Sequence, residues 1–353
     1  MRQTLSVLVG VCALIVPVFA EAQSQPTFSG FTFFMENDVL PQYGDNQDRN
    51  YTGGFGFLFG GDFVRKTKLA SPVHALDRLT GFDRLFRDPR TLYSALVFGT
   101  GFTPDALNVR DPIPGDRPYG SIVGLSVRRL SVNSGNNEEA WSSQVALGFM
   151  GLHPARNLQR WLHKRLRKNE TQLTPYDPLG WHNQISEGGE LTALYKVGYE
   201  KGVAGSAFGP NLRKYWQVST GAEASAGYYT GAAGTASIRL GAFNTDFWQF
   251  TPSAMTVGVQ VGDGLPRWEA FYFATARPRF VIYNALLQGQ FKDSVYTVDP
   301  KRLVFEWDLG GAVTYRGFFV IWNAYPGRTA EFKTASPRTH TWGSIQVGFS
   351  RSQ

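Results

Sequence analysis

The sequence has little charge and almost no cysteine. Only 18% of its 353 residues are charged, and Cys12 is its single cysteine, so no disulfide within the chain can stabilise the fold. Beyond the N-terminus it has no apolar run of the roughly 18 residues that a membrane-spanning helix needs. This excludes a helical membrane protein. Disorder is excluded as well, because 42% of the residues are hydrophobic and can form a core.

The sequence is instead rich in glycine and aromatic residues. The chain has 39 Gly, 27 Phe, 15 Tyr and 9 Trp, and its mean hydropathy is nevertheless −0.22. That combination is unusual for a soluble enzyme, whose charged fraction is nearer ~25%. The length alone allows two soluble domains or one large β-structure.

The N-terminus predicts export. Arg2 precedes an apolar stretch from Leu5 to Ala20, which is followed by small residues at the spacing of a signal-peptidase site. We therefore expect residues 1–22 to be a cleaved signal peptide and residues 23–353 to form a single domain. The net charge of +7 then favours an anionic lipid surface as partner and argues against nucleic acid.

The apolar residues alternate with small or polar ones along the chain. Phe305, Trp307 and Leu309 are separated by Glu306 and Asp308, and the same period of two recurs in many segments. Aromatic residues crowd one face, and Gly, Ser, Thr and isolated charges occupy the other, which is typical of a transmembrane β-barrel with a polar lumen. Closure also removes the strand edges that lipid cannot tolerate. The pattern predicts an all-β, antiparallel up-and-down barrel of about twelve strands, near 27–37, 50–62, 92–103, 119–132, 140–151, 190–201, 214–224, 231–242, 267–285, 298–314, 317–330 and 339–349.

Two stretches interrupt this rhythm. Residues 63–91 carry several Lys and Arg residues and suggest a basic, partly helical excursion, and residues 154–187 form the longest break. Within the second, Pro154 suits the first turn of a helix. Gln159 and His163 are four residues apart and so share a helical face, whereas Leu158, Trp161 and Leu162 lie on other sides and are expected to contact the barrel.

Polar residues cluster where the first strand ends and the second begins. Glu36-Asn37-Asp38 supplies the hard oxygen ligands that Ca²⁺ prefers, although Asn-Asp pairs also simply start turns. Asp48 to Gly54 opens the second strand, so Asn37, Asp38 and Thr52 are expected at one rim. The alternative is an ion pair between Asp48 and Arg49 in a loop, with Tyr51 as a girdle aromatic.

An ordered series of motifs carries a family resemblance. The chain resembles the lipid A 3'-O-deacylases of Gram-negative outer membranes over nearly its whole mature length, in Phe33–Asp38, Asp48–Gly54, Phe102–Asp105, Asp116–Gly120, Leu147–Gly151, Gln159-x-x-x-His163, Gly180–Glu187, Tyr283–Gly289 and Glu331–Phe332.

The resemblance implies a twelve-stranded outer-membrane barrel with its active site at the outer-leaflet rim, between the wall and an external helix. It implies catalytic roles for Asn37, Asp38, Thr52, Gln159 and His163. It also implies a calcium ion, for which Asp38, Asn37 and a loop carboxylate such as Glu170 are the expected ligands.

The expected reaction is hydrolysis of the 3'-linked acyloxyacyl ester of lipid A by a monomeric enzyme. His163 is expected to act as general base toward water, and Arg110, Arg117, Lys164 and Arg165 to bind the lipid A phosphates. Two alternatives stay open: a porin or adhesin without enzymatic activity, and a phospholipase barrel with a Ser-His pair.

Overall fold

The computed structural model describes residues 30–38, 50–86, 91–133, 138–166, 178–208, 212–250, 268–335 and 337–350, with the side chains of residues 162–166 excepted. The expected signal peptide and Glu170 lie outside these residues. Among the described residues, no helix has the length and apolar character needed to cross a membrane.

The chain folds into a closed antiparallel β-barrel of twelve long strands, as the alternation predicts. The strands are β1 (Gly30–Asn37), β2 (Asn50–Gly60), β3 (Thr91–Thr103), β4 (Gly120–Val132), β5 (Glu139–Met150), β6 (Glu190–Gly205), β7 (Lys214–Gly227), β8 (Tyr229–Phe243), β9 (Trp268–Asn284), β10 (Leu303–Tyr315), β11 (Phe318–Asn323) and β14 (Gly343–Ser350), with two short pieces, β12 (Gly327–Arg328) and β13 (His340–Thr341).

Pairing of the first and last strands closes the barrel. Gly30 lies opposite Ser350 and Asn37 opposite Gly343. From β1 to β11 each strand pairs with the next one in the sequence, and β11 pairs with β14. We call the end at Asn37 and Asn50 the upper rim, and the end at Gly30 and Gly60 the lower rim.

The two faces of the wall differ as predicted. Outward residues such as Leu309 and Val313 are 52% and 57% exposed, whereas Glu306 points into the lumen. There the guanidinium group of Arg279 lies 3.0 Å from the Glu306 carboxylate and 2.8 Å from that of Glu223. The lumen therefore contains paired charges, together with a buried apolar cluster around Phe34 and Leu58 that the pattern did not predict, and the lipid-facing wall is apolar.

Within the described residues, four short helices lie outside the strand pattern. They are α1 (Asp62–Lys66), α2 (Ser71–Thr80), α3 (Pro154–Leu166) and α4 (Ala285–Gln288). Single turns of 3₁₀-helix occupy Lys68–Ala70, Phe82–Phe86, Gly180–Asn183 and Phe247–Gln249. The two predicted interruptions thus contain α1 with α2, at the lower rim, and α3, at the upper rim.

Candidate active site at the upper rim

The β1–β2 hairpin brings the first two predicted motifs together. Asn37 lies opposite Gly53 in the register, and its side-chain Nδ2 donates a hydrogen bond of 2.9 Å to the backbone oxygen of Thr52. A β-carbon at Gly53 would lie only 2.8 Å from the backbone oxygen of Glu36 and 3.3 Å from Nδ2 of Asn37. The prediction that Asn37 and Thr52 share a rim is confirmed, and Gly53 leaves the space that the Asn37 amide occupies.

A β-bulge in β2 turns Thr52 toward β3. Asn50 pairs with Thr103 and Tyr51 with Phe102, but Gly53 pairs with Gly101, so Thr52 is the extra residue. Asn50 has a positive φ of 63°, the left-handed conformation that Asn tolerates. The Thr52 hydroxyl lies 2.6 Å from the hydroxyl of the buried Thr103. Bulges commonly re-aim a side chain next to active sites.

Glu36 and Tyr51 face the lumen instead. The Tyr51 hydroxyl donates a 2.5 Å hydrogen bond to the Glu36 carboxylate, and its ring packs edge-on against Trp342. The backbone N–H of Tyr51 donates to Nε2 of His340 at 3.2 Å. The alternative of Tyr51 as a girdle aromatic is therefore wrong, because its ring lies on the inner side of the wall. The other part of that alternative, an ion pair between Asp48 and Arg49, lies outside the described residues.

Helix α3 rests on the outer wall beside this bulge. A β-carbon at Gly101 would lie 3.7 Å from Ala155 Cβ and 3.7 Å from Trp181 Cη2, so the bare backbone of β3 lets both approach. The Trp181 indole N–H donates a 2.7 Å hydrogen bond to Oε1 of Gln159. Gln159 and Trp181 are both buried, and through them the helix joins the wall next to Thr52.

The contact of α3 with the barrel differs from the prediction in one respect. Leu158 and Trp161 are 38% and 44% exposed, whereas Ala155 packs with the buried cluster of Leu107, Tyr119 and Trp181. The close approach to the glycine backbone is thus made by the small Ala155, and the contact expected of Leu158 and Trp161 stays a prediction. The same prediction for Leu162 falls on a side chain outside the described part.

The remaining predicted site residues are only partly described. Asp38 follows Asn37 directly, and both of its carboxylate oxygens are buried. His163 lies within α3, four residues after Gln159, but its side chain is outside the described part, as are those of Lys164 and Arg165. Arg110 is exposed in the β3–β4 loop, where its backbone oxygen accepts a hydrogen bond of 2.9 Å from Asn183.

Arg117 cannot serve as a phosphate ligand in this structure. Its side chain is fully buried, ion-paired with Glu331, and its guanidinium lies 4.2 Å from the centre of the Phe102 ring. Burial alone would raise the pKa of Glu331, but the guanidinium groups of Arg117 and Arg328 lower it below its usual range. The ion pair joins the β3–β4 loop to the segment after β12, so the role of Arg117 is structural.

The oxygen donors present suit a calcium ion. Asp38 offers a buried carboxylate, and Asn37 and Thr52 add amide, hydroxyl and backbone oxygens, which are hard ligands of the kind that Ca²⁺ takes. Among the described residues, no group of three or more His, Cys, Asp or Glu side chains converges on one point. A site with three such side chains would therefore take at least one from the part of the chain outside the described residues, where Glu170 lies.

Comparison with known proteins agrees with this geometry. The family model of outer membrane protein LpxR matches residues 7–351. The chain belongs to the LpxR family. This confirms the resemblance to the lipid A deacylases, and it places the protein in the outer membrane.

A solved structure of the LpxR family shows the same fold. LpxR from Salmonella typhimurium is 18% identical, with a TM-score of 0.68 over 92% of this chain and 100% of that one. The β domain of the Bordetella autotransporter BrkA is 10% identical, with a TM-score of 0.39 over 93% of this chain and 100% of that one. No curated protein sequence matches the chain.

Thr103, Trp181 and the glycines Gly53 and Gly101 were not predicted as site residues from the sequence. Thr103 and Trp181 lie within motifs that carry the family resemblance, Phe102–Asp105 and Gly180–Glu187. That resemblance is the one signal that marks them, because their contacts join residues 51 and 22 positions apart.

Proposed function

We propose that the protein is a calcium-dependent lipid A deacylase that hydrolyses the 3'-linked acyloxyacyl ester. The observation that carries the proposal is the convergence of Asn37, Thr52 and the Gln159-bearing helix on the outward face of the upper rim. Membership of the LpxR family gives the substrate class. A site on the outside of the wall suits a substrate that lies in the bilayer beside the barrel.

The upper rim is proposed to face the outer leaflet. Bacterial outer-membrane barrels have short periplasmic turns and longer extracellular loops. The longest connection, β5–β6, lies at the upper rim and carries α3, and the β10–β11 turn at the lower rim is only Arg316-Gly317, although the β2–β3 and β8–β9 connections at the lower rim are also long. This orientation brings α3 to the level of the lipid A acyl chains.

In the proposed chemistry, His163 takes a proton from water as general base. Gln159 and Thr52 orient the water and the ester, and their own hydrogen bonds to Trp181 and Thr103 restrict how they can turn. Asp38 and Asn37 would hold calcium, with Glu170 as a further ligand. When bound, calcium would polarise the ester carbonyl.

The recognition of the substrate is also part of the proposal. Arg110, Lys164 and Arg165 are proposed to bind the lipid A phosphates, since guanidinium and ammonium groups bind phosphate through charge-assisted hydrogen bonds. The protein is proposed to act as a monomer.

Mass spectrometry of lipid A tests the reaction. Cells producing the protein should lose the mass of the 3'-linked acyloxyacyl group, and cells producing His163→Ala should not. His74→Gln, at the lower rim, is the matched histidine control and should behave as wild type. EGTA should stop the reaction of the purified protein in detergent while the heat-modifiable barrel stays folded.

The same assays separate the alternatives. Unchanged lipid A together with solute flux into liposomes would indicate a porin without enzymatic activity and overturn the proposal. Inactivation by a serine-reactive inhibitor, with phospholipid as the substrate cleaved, would select the Ser-His phospholipase. Full activity of His163→Ala would exclude this histidine as the base even if lipid A is deacylated.

A further inference from the structure

The segment from α1 to Phe86 lies on the outside of the barrel at the lower rim. Its Val64, Ala70 and Val73 pack against Ala95, Val127 and Val145, which are outward residues of β3, β4 and β5. The next outward residues along β3 and β5, Val97 and Leu147, are 50% and 48% exposed on the lipid-facing wall. The segment therefore covers one part of the wall that would otherwise contact lipid.

A buried polar cluster fixes α2 in this position. The carboxylate of Asp77 forms an ion pair with Arg129 of β4, both of them buried, and accepts hydrogen bonds of 2.8 Å from Ser143 and from Tyr195. Such a cluster satisfies the carboxylate fully on the barrel wall. The helix is thus held against the outer surface at a defined height.

Aromatic side chains lie at that height. The rings of Trp141 of β5 and Tyr199 of β6 pack at a tilt on the outer wall with centroids 4.5 Å apart, and Phe82 of the segment packs edge-on against Trp141. Aromatic girdles of this kind mark the level of the lipid headgroups in outer-membrane barrels.

The exposed side of the segment combines cations with leucines. We call it the lower-rim patch, and its exposed members are Arg65, Lys66, Lys68, Leu69, Arg78, Leu79, Arg84 and Leu85. Leu79 is 81% exposed. Among the described residues, Arg65 is the one cation of the patch within ion-pair distance of a carboxylate, that of Asp62 at 3.1 Å.

Little negative charge offsets these cations. Asp77 is buried beneath α2, Asp62 is already paired, and Asp83 is the remaining carboxylate of the described segment. Burial and the nearby Arg129 guanidinium lower the pKa of His74, so this histidine is neutral near pH 7 and adds no charge to the patch.

We propose that the lower-rim patch binds the headgroups of anionic phospholipids in the leaflet opposite the candidate active site. Basic residues beside exposed apolar ones, held in the interface plane, are the pattern of an interfacial membrane-binding helix. The patch continues the lipid-facing wall, so its leucines enter the same leaflet that the wall contacts. Its cations then lie at the level of the phosphates, where each adds to the attraction for an anionic surface.

Native mass spectrometry tests this with the full-length protein in an uncharged detergent. Phosphatidylglycerol and phosphatidylethanolamine with the same acyl chains are titrated separately, and the bound lipids are counted. Wild type should bind phosphatidylglycerol at least about tenfold more tightly, and Lys66→Gln/Lys68→Gln/Arg84→Gln should lose most of that preference. The preference should also shrink as salt rises, since exposed charges are screened.

Three exposed or half-exposed cations outside the patch provide the matched control. Lys301→Gln/Arg302→Gln/Lys333→Gln removes the same charge at the upper rim and should keep the wild-type preference. Equal binding of the two lipids by wild type would overturn the proposal. So would an unchanged preference in the patch variant, or an equal loss in both variants, which would mean that net charge alone attracts the lipid. None of these measurements depends on deacylation.

Discussion

Two helices lie on the outside of this barrel, and they are held in different ways. At the lower rim, α2 covers valine and alanine side chains of the wall and is fixed by the buried ion pair of Asp77 with Arg129. At the upper rim, α3 approaches bare glycine backbone through Ala155 and is joined to the loops by the Gln159–Trp181 hydrogen bond. The first helix is anchored to the wall, and the second is positioned over it.

The difference corresponds to the two proposed roles. A helix that only has to sit at a fixed height benefits from a charged anchor and a broad apolar contact. A helix that forms one wall of an active site must leave room for substrate while holding a few groups in place. The comparison predicts that changes at α2 reduce stability, and that changes at α3 reduce activity with little effect on stability.

Removal of the α2 anchor should have the largest effect. Asp77→Ala leaves the buried Arg129 without its partner, which costs about 3–5 kcal/mol in the free energy of unfolding. Urea unfolding in detergent micelles, followed by heat-modifiability on gels, measures it. Arg65→Ala breaks an exposed pair whose side chains are 52% and 40% accessible, and should cost at most about 1 kcal/mol. Similar losses for both variants would show that the buried cluster is no anchor.

A larger side chain beneath α3 should come next. Gly101→Leu fills the space in which Ala155 and Trp181 approach the wall, and displacement of the helix by about 1 Å should lower deacylation roughly 100-fold. Gly101→Ala is the matched control, because its β-carbon would make only ordinary contacts at 3.7 Å. Wild-type activity of Gly101→Leu in a lipid A deacylation assay would show that the reaction does not depend on the position of α3 on the wall.

Local patterns predicted the barrel well. Strand residues alternate between lipid and lumen, so a period of two in the sequence marks each strand, and the outward positions of Phe305, Leu309 and Val313 are confirmed. The meeting of Asn37 with Thr52 also followed from local information, because adjacent strands of a hairpin return to the same rim.

Contacts between distant segments were not predictable in this way. Composition marked residues 63–91 as basic and partly helical, but nothing local shows that Asp77 is buried against Arg129, 52 positions away. Arg117 was expected to bind the lipid A phosphates, yet it is paired with Glu331, 214 positions away in the chain. The assignments of His163 as general base and of Glu170 as calcium ligand were not tested by the structure and stay predictions.

The hydroxyl pair beside α3 offers a finer test. Thr103→Val removes the partner of the Thr52 hydroxyl while keeping the shape of the side chain, and the loss of this buried hydrogen bond should lower kcat roughly tenfold. Thr103→Ser keeps a hydroxyl and should restore most of the activity. If Val and Ser variants were equally active, the orientation of Thr52 would not depend on Thr103.

The smallest expected effect concerns the link between α3 and the loops. Trp181→Phe keeps an aromatic ring in the buried cluster but removes the indole N–H that holds Gln159, so the loss of one hydrogen bond should lower kcat about fivefold. Unfolding in urea should change little, because the ring still packs against Tyr119. Trp268→Phe, at an exposed position on the lower rim, is the control and should match wild type.

A double-mutant cycle decides whether this bond acts through Gln159. If Trp181 matters because it orients that amide, Trp181→Phe should cost almost nothing further in the Gln159→Ala background, since the group it positions is gone. Additive losses would instead mean that the indole contributes to stability or substrate contact independently. In that case α3 would be anchored to the wall, as α2 is, and the distinction between the two helices would not hold.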